Sequence, residues 1–180
     1  NINSQRETFR DEDHIRVHPI ITKGGDIVNV VPADVKMETY VRGSTIDGIM
    51  AANNKVNNCL KAGALATGAK VEIQEIPGYL PLKSCIGLDE TYKENLLEFI
   101  KEEEIVMGGA MSGSTDFGDI THIMPGIHPM IGGVSGALHT RNYSVDDKEL
   151  AYIIPAKVFA MTLIDLLYDE AKLANEILEN

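Results

Sequence analysis

Apolar and polar residues alternate cleanly over residues 35–43, which predicts a strand with one wet face. Residues 15–22 begin with the same alternation and are rich in β-branched side chains, so a second strand is expected there. Its Pro19 implies an edge or a bulge, because proline brings no N–H to a ladder. Residues 71–76 alternate again and predict a third strand. Between residues 43 and 71 the period becomes helical. Ser44 or Thr45 can cap a helix carrying Asp47 in its first turn, running to about Thr67 and stopping at Gly68. Residues 1–9 have weaker helical character and break at the charged Arg10-Asp-Glu-Asp13.

Beyond the linker-like Pro77-Gly-Tyr-Leu-Pro81, residues 89–104 predict a helix with Asp89 as its cap or first-turn acid. Residues 105–107 and 119–124 read as short buried strands, with another over 127–131. Residues 147–178 read as helical, interrupted near Pro155 and again at Tyr168-Asp169. The order helix, strand, strand, helix, strand over the first 80 residues is that of a ferredoxin-like βαββαβ unit without its first strand. The whole is expected to be α/β or α+β in two parts, residues 1–80 and 81–180.

Composition narrows the function classes. The formal net charge of −11 argues against nucleic acid, whose phosphates need clustered Lys and Arg, and the absence of Trp leaves little for base stacking. No run approaches the roughly 18 apolar residues of a membrane span, and nothing at the start reads as a signal peptide, so a cytoplasmic protein away from membranes is expected. Cys59 and Cys85 are then expected to be reduced thiols.

Candidate chemistry concentrates between Ser112 and Thr140. His139 stands in a turn setting that suits a metal ligand, although a lone loop histidine also reads as surface. Asp116 and Asp119 suit acid/base or ligand-orienting roles, or simple loop architecture, while Gly113 and Gly118 would let backbone approach a substrate. Asn29 follows a Gly-Gly turn, and Arg42 ends the alternating strand, where a guanidinium can grip a carboxylate or merely face solvent. His14 and His18, four apart on one expected strand, share a face; His122 is expected to be packed and hydrogen-bonded, and Glu102-Glu-Glu104 to end a solvated helix.

The segments Val17-His-Pro-Ile-Ile-Thr-Lys-Gly-Gly25, Asn29-Val-Val-Pro32, Tyr40-Val-Arg-Gly43, Gly113-Ser-Thr-Asp-Phe-Gly-Asp119, Pro125-Gly-Ile-His-Pro129 and Leu138-His-Thr140 together resemble the M20 metallopeptidase and amidohydrolase family. The branch resembled holds aminobenzoyl-glutamate hydrolase-like proteins and M20-domain dipeptidases. The resemblance implies an incomplete ferredoxin-like dimerisation lid over residues 1–80 and the C-terminal part of a di-metal α/β peptidase domain over 81–180. It implies His139 as a metal ligand, and Asn29, Arg42, Ser114, Thr115 and Asp116 as substrate-binding, with Ser114 acting through its backbone. It also implies two divalent ions, Zn²⁺ or Mn²⁺, a homodimer formed through the lid, and hydrolysis of an amide bond in a dipeptide or N-acyl amino acid. The family's His-x-Asp motif, Glu-Glu pair and lid histidine have no counterpart in this sequence. No catalytic base is therefore expected in this chain, which reads as an inactive C-terminal portion of the enzyme. The rival expectation is a non-catalytic oligomerisation or ligand-binding module.

Overall fold

The computed structural model describes residues 1–108 and 114–179. It is a mixed α/β architecture with two small antiparallel sheets, divided into two compact units. One is built mainly on residues 1–82 and the other mainly on 83–108 and 117–179.

In the first unit, a 3₁₀ helix (Ile2–Thr8) and a 3₁₀ turn (Asp11–Asp13) lead into β1 (Arg16–Lys23), which pairs antiparallel with β2 (Lys36–Arg42). The register sets Arg16 opposite Arg42, Val17 opposite Val41 and His18 opposite Tyr40, with an irregularity between Ile21 and Lys23; among the described residues β1 is an edge strand, the edge alternative expected from Pro19. Helix α1 (Ile46–Thr67) follows the sequence pattern closely: the Thr45 hydroxyl accepts from the Gly48 N–H at 3.0 Å, Asp47 sits in the first turn, and Gly68 ends the helix. Ala52 and Val56, four apart on one helical face, are buried, as is Val17 on the inner face of the hairpin.

Asp13 ties the segment before β1 to the start of α1. Its carboxylate accepts from the Thr45 hydroxyl at 2.6 Å and from Arg10 Nε at 2.9 Å, while its carbonyl accepts from Ser44 N at 2.8 Å. A Cβ at Gly48 would lie 2.5 Å from Asp13 Cγ, so only glycine lets this carboxylate sit against the helix. The Thr45 hydrogen bond is the main cause holding the Asp13 carboxyl below the usual aspartate range, helped by Arg10 and opposed by desolvation.

The third expected strand is corrected: residues 71–76 join no ladder, and the sheet of this unit has two strands. Alternation encodes which side chains face inward, but a strand also needs a neighbour for its N–H and C=O groups, and no described segment supplies one. His14 is corrected as well. It lies outside β1 in a left-handed turn at φ 46°, closed by its N–H on the Asp11 carbonyl at 3.0 Å, so it does not share a strand face with His18.

In the second unit, α2 (Ile86–Leu96) packs on α4 (Ile154–Glu179). Tyr92 and Phe159 meet edge to face at 5.1 Å, which joins the two helices through their rings. Beside them the Asn95 side-chain amide donates to Asp165 Oδ2 at 2.7 Å and lies 3.3 Å from the Thr162 hydroxyl. Helix α2 begins three residues before the expected start and ends at Leu96, so Asp89 falls in its first turn, where burial raises its pKa. Residues 102–104 form an exposed 3₁₀ turn, with Glu102 paired to Lys93 at 2.9 Å.

The short strands expected over 105–107, 119–124 and 127–131 are corrected. Residues 105–107 pair with nothing described, and Val106 is 88% exposed. Phe117–Thr121 is helix α3, and the strands of this unit are β3 (Val134–Ser135) and β4 (Ser144–Val145). Runs this short fit either period, so hydrophobicity alone cannot assign them. His122, expected to be packed, is exposed at the end of α3, where the buried residue is Thr121.

The C-terminal helix is interrupted at both expected places. A π-helical segment (Glu149–Ile153) precedes α4 next to Pro155, and Tyr168–Ala171 leave helical geometry, with φ of 52°, 57° and 60° at Asp169, Glu170 and Ala171. Beyond that turn Ile177 lies against Gly87 of α2, where an added Cβ would come within 3.0 Å. By length and composition the stretch Glu149–Glu179 contains an 18-residue window apolar enough to cross a membrane, with mean hydropathy 1.8 and 11% of that window buried. The expectation that no run approaches such a span is corrected on that point: Lys157 and Asp165 break the apolar run without lowering its average below the requirement. Cys59 and Cys85 are both free thiols, half-buried.

Candidate functional site

Each expected site residue has a definite place within its own unit. Arg42, half-buried, is the last residue of β2, and its guanidinium carbon stands 5.4 Å from the centre of the Tyr40 ring, a cation–π arrangement. Asn29 is exposed in the loop joining β1 to β2, in a turn closed by Val30 N on the Ile27 carbonyl at 3.2 Å. The base of that loop is held by Lys23 and Asp34 at 3.1 Å. Arg42 lies six residues along the strand from Lys36 at the loop's base, about 20 Å at the usual strand rise. No hydrogen bond brings Asn29 and Arg42 together.

Ser114 and Asp116 are exposed and Thr115 is half-buried, with its hydroxyl 3.4 Å from Asp116 Oδ1. The preceding Ser112 and Gly113 lie outside the described residues. Asp119 is exposed in the first turn of α3.

His139 is exposed in the turn between β3 and β4 and adopts φ 64°. A non-glycine residue in the left-handed region is held there by its surroundings. The Thr140 hydroxyl donates to the Ala137 carbonyl at 2.8 Å, and Tyr143 N donates to the Thr140 carbonyl at 3.2 Å. At the foot of the turn Gly136 has φ 82°, and a Cβ there would fall 2.3 Å from the Asn142 carbonyl oxygen, so the turn needs glycine. His128 stacks obliquely on Phe117 at 5.8 Å. Among the described residues no three His, Cys, Asp or Glu side chains cluster so as to hold a metal ion. The described residues therefore do not fit a metal centre by themselves; at the expected ligand position they offer the exposed imidazole of His139 on its turn.

Two clefts among the described residues stand apart from the expected site. One, of about 510 Å³, is lined by Asn57, Lys61, Val71, Ile73 and Glu75 in the first unit. The other, of about 430 Å³, includes Glu90, Glu94, Asp165 and Tyr168 in the second. Neither contains an expected site residue.

One feature of the hairpin goes unmarked in the sequence. Arg16 lies directly opposite Arg42, and His18 directly opposite Tyr40, so the four share the outer face of β1–β2. The available signal was the period of two that links Arg16 to His18 and Tyr40 to Arg42. What the sequence lacked was the register between the strands.

No protein-family model matches the chain. It is 34% identical over 168 residues to the Xaa-Arg dipeptidase of Mus musculus, the match covering 88% of this chain and 38% of that protein. It is 35% identical over 166 residues to the Xaa-Arg dipeptidase of Homo sapiens, covering 85% and 37%. With the N-acetyldiaminopimelate deacetylase of Pediococcus pentosaceus the identity is 26% over 140 residues, covering 74% and 35%. The chain thus spans a little over a third of the length of the curated relatives it matches.

Proposed function

We propose that this chain is the C-terminal portion of a metal-dependent amidohydrolase of the M20 family that cleaves a dipeptide or an N-acyl amino acid. Homology to two dipeptidases and a deacetylase supports the M20 metallopeptidases and amidohydrolases, and with them hydrolysis of amide bonds in peptides. The observation that carries the reading is the 34% identity to a dipeptidase over 88% of the chain.

In this reading residues 1–80 belong to a ferredoxin-like lid through which two copies pair, and residues 81–180 to the catalytic domain. Arg42 grips the carboxylate of the substrate, a role suited to a guanidinium already oriented over Tyr40. Asn29, on the exposed loop at the other end of the hairpin, makes a separate polar contact to substrate. Ser114, Thr115 and Asp116 present backbone and side-chain groups to the scissile amide. His139 supplies one imidazole to a site whose remaining ligands, and whose general base, come from a part of the protein outside this chain. The two divalent ions of such a site, Zn²⁺ or Mn²⁺, would contribute Lewis acidity at the amide carbonyl.

The test is hydrolysis of dipeptides and N-acyl amino acids by the full-length gene product, beside its R42A variant. Turnover is expected, with KM raised by about tenfold or more in R42A, as loss of one charge-assisted carboxylate contact predicts. Absence of turnover in metal-loaded protein would overturn the hydrolase reading, and an unchanged kcat/KM in R42A would remove Arg42 from the site.

A further inference from the structure

We infer that Arg16 joins Arg42 as a second guanidinium, so that the outer face of the β1–β2 hairpin is a two-arginine seat for one carboxylate group. The inference rests on the proposed role of Arg42 and adds to it a residue that lies outside the motifs carrying the resemblance. The register pairs the two arginines directly, and directly opposed side chains in an antiparallel ladder project from the same face. That face is the outer one, because the neighbouring Val17 is fully buried on the inner face while Arg16 and His18 are exposed.

Like charges set directly opposite each other repel. This chain has 27 acidic residues against 16 Lys and Arg, yet among the described residues none of those carboxylates pairs with either guanidinium. The nearest acid along the face, Glu38, stands opposite Ile20, four residues from Arg42, or about 13 Å along the strand. An opposed and uncompensated pair of guanidinium forks matches the needs of a carboxylate, whose two oxygens accept two donors each. Tyr40 stacks on Arg42 from the same face, and His18 opposite it adds an imidazole donor beside the pair. The surrounding net charge of −11 repels anions in general, so an anion bound here is held by the local pair.

The experiment is a titration of the 180-residue chain at neutral pH with N-acetylglycinate, and separately with N-acetylglycinamide, followed by NMR at the arginine Nε resonances. Binding of the acid is expected to shift both the Arg16 and Arg42 resonances, and the amide to bind at least tenfold more weakly. R16Q is expected to weaken the acid about tenfold without lowering the thermal midpoint, since it also relieves the repulsion between the opposed arginines, while K148Q, in the other unit, behaves as the parent. An Arg16 resonance unmoved at saturation, equal binding of acid and amide, or an R16Q affinity within twofold of the parent would each overturn the proposal. Because no turnover is read, a failure here leaves amide hydrolysis by the full-length protein standing. An enzyme without hydrolytic activity would in turn leave this binding result intact.

Discussion

Thr45 satisfies two demands at once: its hydroxyl oxygen accepts from the first turn of α1 while its proton goes to Asp13. Replacing it with alanine removes the cap and leaves Asp13 short of its main donor. T45A is therefore expected to lower stability by about 1 kcal/mol, read as a fall in the denaturant midpoint. The same contact fixes a pH dependence. The folded pKa of Asp13 is lowered, so its stabilising contribution is present above the ordinary aspartate range and is lost as pH falls through the lowered value. Midpoints measured from about pH 5 down to about pH 2 should decline less steeply in D13N than in the parent, and parallel curves would contradict the assignment. Thr45 and Asp47 could be read in the sequence because caps act within four residues of their targets. Asp13 could not, since its partner is 32 residues away and Gly48 gives no sign of the carboxylate it makes room for.

Among elements, α2 and α4 pack on each other in the second unit. Val158 is fully buried in this pair and Asn95 bridges it, donating to Asp165 while lying beside Thr162. V158A is expected to cost about 2 kcal/mol through the cavity it leaves. N95A should cost about 1–3 kcal/mol because buried acceptors lose their donor. I86A, at a side chain 73% exposed, should stay within about 0.5 kcal/mol. Chemical denaturation of the three variants separates these outcomes, and a similar loss in all three would show that burial at this contact does not set stability. Long periodic segments were legible here: α1 and both breaks in the C-terminal helix follow from capping residues, from Pro155 and from the polar Tyr168-Asp169 step. Short apolar runs were not, since residues 119–124 fit a strand or a helical turn equally well and only their neighbours decide. Residues 71–76 alternate as a strand does, yet remain without a ladder.

At the scale of the whole molecule, the resemblance carried by six scattered motifs is matched by similarity to dipeptidases and a deacetylase over 74–88% of the chain. The separate motifs place Arg42 at a strand end and His139 on a constrained turn, positions from which side chains can reach a ligand. Their register and partners were beyond the sequence: Arg16 became visible as the neighbour of Arg42 only once the strands were paired. In the proposed reading His139 completes a metal site with ligands from the rest of a longer protein, while the described residues form no metal cluster among themselves. The most direct measurement is elemental analysis of the full-length protein and its H139A variant after loading with Zn²⁺ or Mn²⁺ and desalting. Two metal ions per subunit in the parent, with at least one lost from a folded H139A, is the predicted result. An unchanged metal content in H139A, or a parent that holds no metal, would contradict the account.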